Sequence, residues 1–255
     1  MATVKQIYSE LDALIPRALS APWDNDGLMV CPDKNKEVRR VLLSLDATAE
    51  VCKRARDYDL IITHHPMIFR KLPAVTDENF ISEKVISLIE SKTAVMSFHT
   101  RFDASDGGMN DILAEKFGLF DVEKFGDAES PTLGRVGSVE PISAGALCEI
   151  VKSVLGAPRV LLSDSGKTVS RLALCGGGGR SFIQPALAAG ADALITGESD
   201  YNSALDAREC GITLIEAGHY YTEAVFTSFF ERFFSSNYPD IKVDISDIGC
   251  EIKTL

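Results

Sequence analysis

Asp59-Leu-Ile-Ile-Thr-His-His65 aligns without gaps on Asp192-Ala-Leu-Ile-Thr-Gly-Glu198. In each stretch an acid precedes a short apolar run of the kind that forms a buried strand. Each is followed by helical spacing and then a second apolar run, at 94–98 and 212–215, leading to His99 and His219. Four residues beyond each of these histidines stands an acid, Asp103 or Glu223. The echo reads as an internal duplication and predicts two related halves in which strands and helices alternate, an α/β architecture.

Working outward, Thr3 and Gln6 form a capping pair ahead of Val4, Ile7, Tyr8, Leu11, Leu14 and Ile15 at helical spacing, and Pro16 marks the end of that helix. After a turn-rich stretch holding Pro22, Trp23, Asp24, Asn25 and Gly27, residues 41–45 have strand length. Helices are expected over 48–58 and 81–91, and one beginning near Ser105 carries Met109, Ile112, Leu113 and Phe117 on one face. Residues 118–142, with Gly126, Pro131, Gly134, Gly137 and Pro141, read as an irregular crossing between domains. The second series comprises helix 144–155, strands 160–162 and 172–175, a glycine loop at 176–179, helix 181–189, strand 193–196 and helix 203–208. A Phe-rich helix opened by Glu223 and a strand near 241–245 close the chain. A first domain is therefore expected over 1–125, with 222–255 packing back on it, and a second over 126–221.

The 255 residues carry 26 Lys plus Arg against 37 Asp plus Glu, a formal net charge of −11. Phosphate backbones and anionic membranes attract clustered positive charge, so nucleic acid and membrane surfaces are disfavoured as partners. The amino terminus lacks a basic stretch followed by an apolar one, and no run approaches the roughly 18 to 20 apolar residues of a spanning helix. Six dispersed cysteines without a C-x-x-C pair read as reduced, buried small hydrophobes. A cytoplasmic protein is the expectation.

The chain has four histidines, and His64, His65, His99 and His219 all stand at predicted carboxyl ends of strands, where open α/β sheets place their ligands. Neighbours on an extended chain point to opposite sides, so His64 and His65 serve one cation only if the strand has ended and turned, a turn that Pro66 suits. Otherwise each serves a different metal. With Asp103 and Glu223 the set offers too many donors for one tetrahedral zinc and resembles a dinuclear divalent site. If Glu223 opens its helix, the positive amino end also favours its ionised form.

Taken together, Pro22-Trp-Asp-Asn-Asp-Gly-Leu28, Ile62-Thr-His-His-Pro66, His99-Thr-Arg-Phe-Asp103 with Gly107-Gly-Met-Asn-Asp111, Ala191-Asp-Ala-Leu-Ile-Thr-Gly-Glu198 and Gly218-His-Tyr-Tyr-Thr-Glu223 resemble the NIF3-like family, also called GTP cyclohydrolase 1 type 2 homologues. The likeness runs from about residue 5 to 250. It implies two related α/β domains with mixed sheets packed around a dinuclear metal cleft, and a ring-shaped homohexamer. Carried over by position, the metal ligands fall on His64, His65, Asp103, His219 and Glu223, with His99 beside the metals. Arg101 and Asn202 stand where the family often has asparagine and histidine.

A metal-dependent hydrolase follows as the leading expectation, with two divalent cations (zinc, manganese, iron, nickel or magnesium) activating water, and with His99 and Glu223 as catalytic residues. The family name points to GTP, a nucleotide, as the small-molecule substrate. Arg101, Gly177, Gly178 and Glu198 are candidate substrate contacts, the glycines because a Gly-rich run before a helix can cradle phosphate. Glu198 also suits a role behind a metal ligand. The alternative function is a metal-binding hexameric scaffold, metal carrier or regulatory protein without catalysis.

Overall fold

The computed structural model describes residues 2–246 and 248–253. In chain order the first elements are α1 (Val4–Leu14), β1 (Gly27–Val30), β2 (Arg40–Ser44), α2 (Ala49–Lys53), β3 (Leu60–Thr63), α3 (Phe80–Glu90), β4 (Ala94–Ser97) and α4 (Thr100–Ala104). Next come α5 (Met109–Lys116), β5 (Phe120–Phe125), β6 (Gly134–Ile142), α6 (Ala144–Leu155), β7 (Leu161–Ser163), β8 (Val169–Gly178) and α7 (Ile183–Ala188). Then β9 (Ala193–Glu198), α8 (Tyr201–Cys210), β10 (Thr213–Glu216), α9 (His219–Glu223), α10 (Phe226–Asn237) and β11 (Lys242–Ile245) complete the chain. None of these helices is long and apolar enough to cross a membrane among the described residues.

The chain divides into two units, the first comprising residues up to Phe102 together with Phe226–Ile248, the second Asp103–Val225 and the residues from Gly249. In the first unit the sheet order is β1-β4-β3-β2-β11, with β1 antiparallel to β4 and the other pairs parallel. The capping box at Thr3 and Gln6 starts α1 as the sequence predicts. Leu42, Val51, Ile61, Val85, Leu88 and Val95 form one apolar cluster. A second is aromatic, with Phe98, Phe102, Phe226 and Phe230 fully buried and Phe226 and Phe230 at 4.5 Å between ring centroids. Strands β2, β3 and β4 lie side by side in parallel, so their carboxyl ends share one sheet edge, and β1 starts opposite Ser97 at that edge.

The second unit has the order β5-β6-β8-β9-β10-β7, with β8, β9 and β10 parallel and the rest antiparallel. Both sheets are thus mixed. The expected irregular crossing at 118–142 contains two paired strands, β5 and β6. Their signal is masked because β5 is exposed along most of its length and β6 carries glycines. Those glycines admit close neighbours: a Cβ on Gly134 would come within 2.5 Å of the Phe125 ring. The first boundary also falls earlier than 125, because Leu113 and Ala114 of α5 pack with Leu147, Val151, Leu172 and Ile195 of the second unit.

The duplication extends to hydrogen bonds. Asp59 Oδ2 accepts from the Arg39 and Arg40 N–H groups at 2.9 and 3.1 Å, and Asp192 Oδ2 accepts from those of Ser170 and Arg171, both at 2.9 Å. Ala94 N–H then donates to Asp59 O, and Thr213 N–H to Asp192 O. Each acid ties the start of its own strand to the preceding strand, which fixes the parallel register of the triplet.

Candidate metal centre

In the first unit, strand geometry ends at Thr63. The Thr63 and Ser97 hydroxyls hydrogen-bond each other at 2.8 Å, and the His65 carbonyl lies 2.8 and 3.2 Å from them as the acceptor of the remaining proton. Held this way the chain turns before Pro66, and the His64 and His65 rings come within 5.0 Å of each other. His99, at the end of neighbouring β4, lies 5.2 and 5.5 Å from them. One nitrogen from each of the three lies within 4.8 Å of the other two, a group that could hold a metal ion.

The orientation of each ring is fixed from behind. His64, fully buried against Phe226 and Phe102, has Nδ1 at 2.8 Å from the Phe98 carbonyl. A carbonyl only accepts, so Nδ1 carries a proton and Nε2 is the ring nitrogen that could serve as a metal donor. His65 Nδ1 lies 2.8 Å from Asp46 Oδ1, and His99 Nδ1 lies 3.0 Å from Asp24 Oδ1. Asp24 is itself locked, accepting from the Thr100 hydroxyl at 2.6 Å and the Thr100 N–H at 3.1 Å. Burial pushes the Asp24 carboxyl up, but the His99 and Thr100 interactions outweigh it and hold the pKa down to about 2.

In the second unit, α9 follows β10 directly, and His219 and Glu223 occupy one face at i and i+4. His219 Nε2 lies 3.1 Å from Glu223 Oε2, and its Nδ1 lies 3.2 Å from Glu198 Oε1. Two donors each about 2.1 Å from one cation are about 3.0 to 3.4 Å apart, so the His219–Glu223 spacing fits a shared ion. Glu223 closes α9 and the Phe-rich helix α10 starts separately at Phe226, so the expected help from a helix amino end is absent. Asp103 is buried on α4. Burial raises the Cys175 thiol well above its ordinary pKa, and the Asp103 and Glu223 carboxylates add to that rise.

The glycine run has a different use from the one expected. Gly176–Gly178 belongs to β8, and the N–H groups of Gly176, Gly177 and Gly179 already donate to Asn110 Oδ1, Thr222 Oγ1 and the Glu198 carbonyl. Those three N–H groups are thus already engaged within the protein. Gly177, at φ +65°, makes room for the site: a Cβ there would lie 2.2 Å from Glu223 Oε1. Arg101 is fully buried, its Nε 3.0 Å from Asp26 and its Nη1 2.6 Å from Asp12. Its charge therefore faces carboxylates of its own unit, where a substrate contact was expected. Asn202 is exposed on α8. Sequence reading missed Asp46; an acid just past the strand beside His65 was its available signal.

The donor chemistry fits divalent cations. Imidazoles whose far nitrogen is held by a carbonyl or carboxylate, together with carboxylates, form the usual environment of zinc and its neighbours.

The model of the Duf34/NIF3 (NGG1p interacting factor 3) family matches residues 2–252. A Helicobacter pylori protein named GTP cyclohydrolase 1 type 2 is 35% identical over 228 residues, covering 89% of each chain. A Clostridium perfringens GTP cyclohydrolase 1 type 2 homolog is 32% identical over 227 residues, covering 86% of each. The crystal structure of Staphylococcus aureus hypothetical protein SA1388 superimposes with a TM-score of 0.87 at 25% identity, covering 99% of both chains.

Proposed function

Because the chain belongs to the Duf34/NIF3 family, we propose that it is a metal-dependent hydrolase in which His64, His65, Asp103, His219 and Glu223 hold two divalent cations. The observation that carries this reading is the anchoring of His64 and His65 through Nδ1, which turns both Nε2 lone pairs into preset donors. Cations held there supply Lewis acidity and bring the pKa of water toward neutrality. Among the residues beside them, His99 would hold and move a proton: its Nδ1 is tied to Asp24, which leaves Nε2 for that exchange. Asp24, ionised far below neutral pH, stabilises the imidazolium that results. Glu198 backs His219 at Nδ1, which leaves Nε2 beside Glu223 Oε2 as a pair of donors for a shared cation.

The names of the curated relatives put GTP first among substrates, within the wider class of nucleotides and related heterocycles. Protein stripped of metal and reloaded with zinc, manganese or iron is expected to consume GTP, and absence of turnover with all three removes GTP from the reading. His99→Gln is expected to keep its metal content and lose about 10²- to 10⁴-fold in turnover. Loss of metal in that variant would instead make His99 a ligand.

A further inference from the structure

Trp23 and Phe69 leave half of their surface in water, at 51% and 45% exposure, and both stand beside His99. Trp23 and Phe69 meet at 6.1 Å and 63°, Trp23 and His99 at 6.1 Å and 71°, Phe69 and His99 at 6.5 Å and 86°. Every contact among the three is edge-to-face, so none of the rings stacks flat on another. The rings form a corner with open walls.

The corner is held rigidly although it sits on loops. Asn25 Nδ2 donates to the Ile68 carbonyl at 2.5 Å, pinning the Trp23 loop to the Phe69 loop. Asp24, between Trp23 and Asn25, is fixed by His99 and Thr100, and the Ala21 N–H donates to Thr100 Oγ1 at 2.9 Å. An aromatic side chain held half-exposed beside polar site residues offers stacking surface at little ordering cost. The third wall is polar. His99 keeps 17% of its side chain exposed, and with Nδ1 3.0 Å from the Asp24 carboxylate, Nε2 is the ring nitrogen left to meet a hydrogen-bonding edge.

We propose that Trp23, Phe69 and His99 form a subsite for a flat heteroaromatic ring, which stacks on the aromatic walls and donates an edge N–H to His99. The subsite rests on the hydrolase reading for its purpose, since it would bring the ring to the group that moves protons. Binding itself is measurable without turnover.

Trp23 is the only tryptophan of the chain, so its fluorescence reports on this corner alone. Titration of the full-length, metal-loaded protein with guanosine or adenosine is expected to quench it saturably, and ribose to leave it unchanged. Phe69→Leu is expected to weaken both nucleosides roughly tenfold or more at unchanged metal content and circular dichroism. Calorimetry on Trp23→Leu provides the same comparison should Phe69→Leu not fold. Theophylline, which keeps a ring N–H, should bind more tightly than caffeine, which has none. No quenching by either nucleoside at millimolar concentration, equal affinity in the variants, or equal binding of the two xanthines overturns the subsite. GTP turnover without quenching would leave the hydrolase reading standing and remove the subsite. Quenching without turnover would do the reverse.

Discussion

Asp46 and His65 are 2.8 Å apart but 19 positions apart in sequence, and their meeting depends on β2 and β3 being parallel neighbours. A carboxylate that fixes a ligating imidazole raises its basicity and removes its rotational freedom, so Asp46→Ala is expected to weaken zinc binding about 10- to 100-fold, read by competition with a chelator. Asp24 makes a prediction in pH. Its folded pKa of about 2 lies below the ordinary 3.8, so its stabilisation is complete above about pH 4 and is lost as pH falls through 2. Between pH 5 and pH 2 the wild type should lose about 2 kcal/mol more than Asp24→Asn in urea titrations. The histidines and acids were legible because their residue types and strand-end positions are sequence facts. Their supporting partners were not, since the pairing of Asp24 with His99 spans 75 positions and is decided by which strands become neighbours.

Among the elements, β8 shows why a sequence motif needs its surroundings. Four consecutive glycines before a helix suggest an anion cradle, whereas here one of them, Gly177, lies where α9 comes against β8. Gly197 adds to the same close fit, because a Cβ there would come within 2.8 Å of the His219 Cα. Gly177→Ala therefore meets two obstacles, a left-handed backbone costing roughly 1–2 kcal/mol and a collision with Glu223. The variant should show a lower unfolding temperature and reduced divalent-metal content, both measurable by calorimetry with elemental analysis. Buried elements such as β3 and β4 were readable from apolar runs alone. Exposed β5 and glycine-bearing β6 were hidden for the opposite reason, having little apolar periodicity to read. The split between α9 and α10 was missed because the phenylalanine spacing of α10 continues smoothly back toward Glu223.

For the molecule as a whole, the repeat legible around Asp59 and Asp192 carried the architecture, and matched hydrogen bonds at both acids account for its strength. Assembly is a separate proposal: a homohexamer would cover apolar side chains that edge strands β5 and β7 leave exposed, Phe120, Val122, Leu161 and Leu162. Sedimentation equilibrium should then give six times the 27.7 kDa chain mass, and a mass of one chain would remove the ring. The order of the units along the chain has its own consequence. Residues 103–225 of the second unit are contiguous, while the first unit waits for α10 and β11. Synthesis runs from the amino terminus at about 5–20 residues per second, so the ribosome can release the main body of the second unit first. Until Phe226 and Phe230 emerge, Phe98, Phe102 and His64 lack the rings that bury them. The histidine corner is thus finished only after α10 has been made, so its burial depends on a segment that follows the whole contiguous part of the second unit.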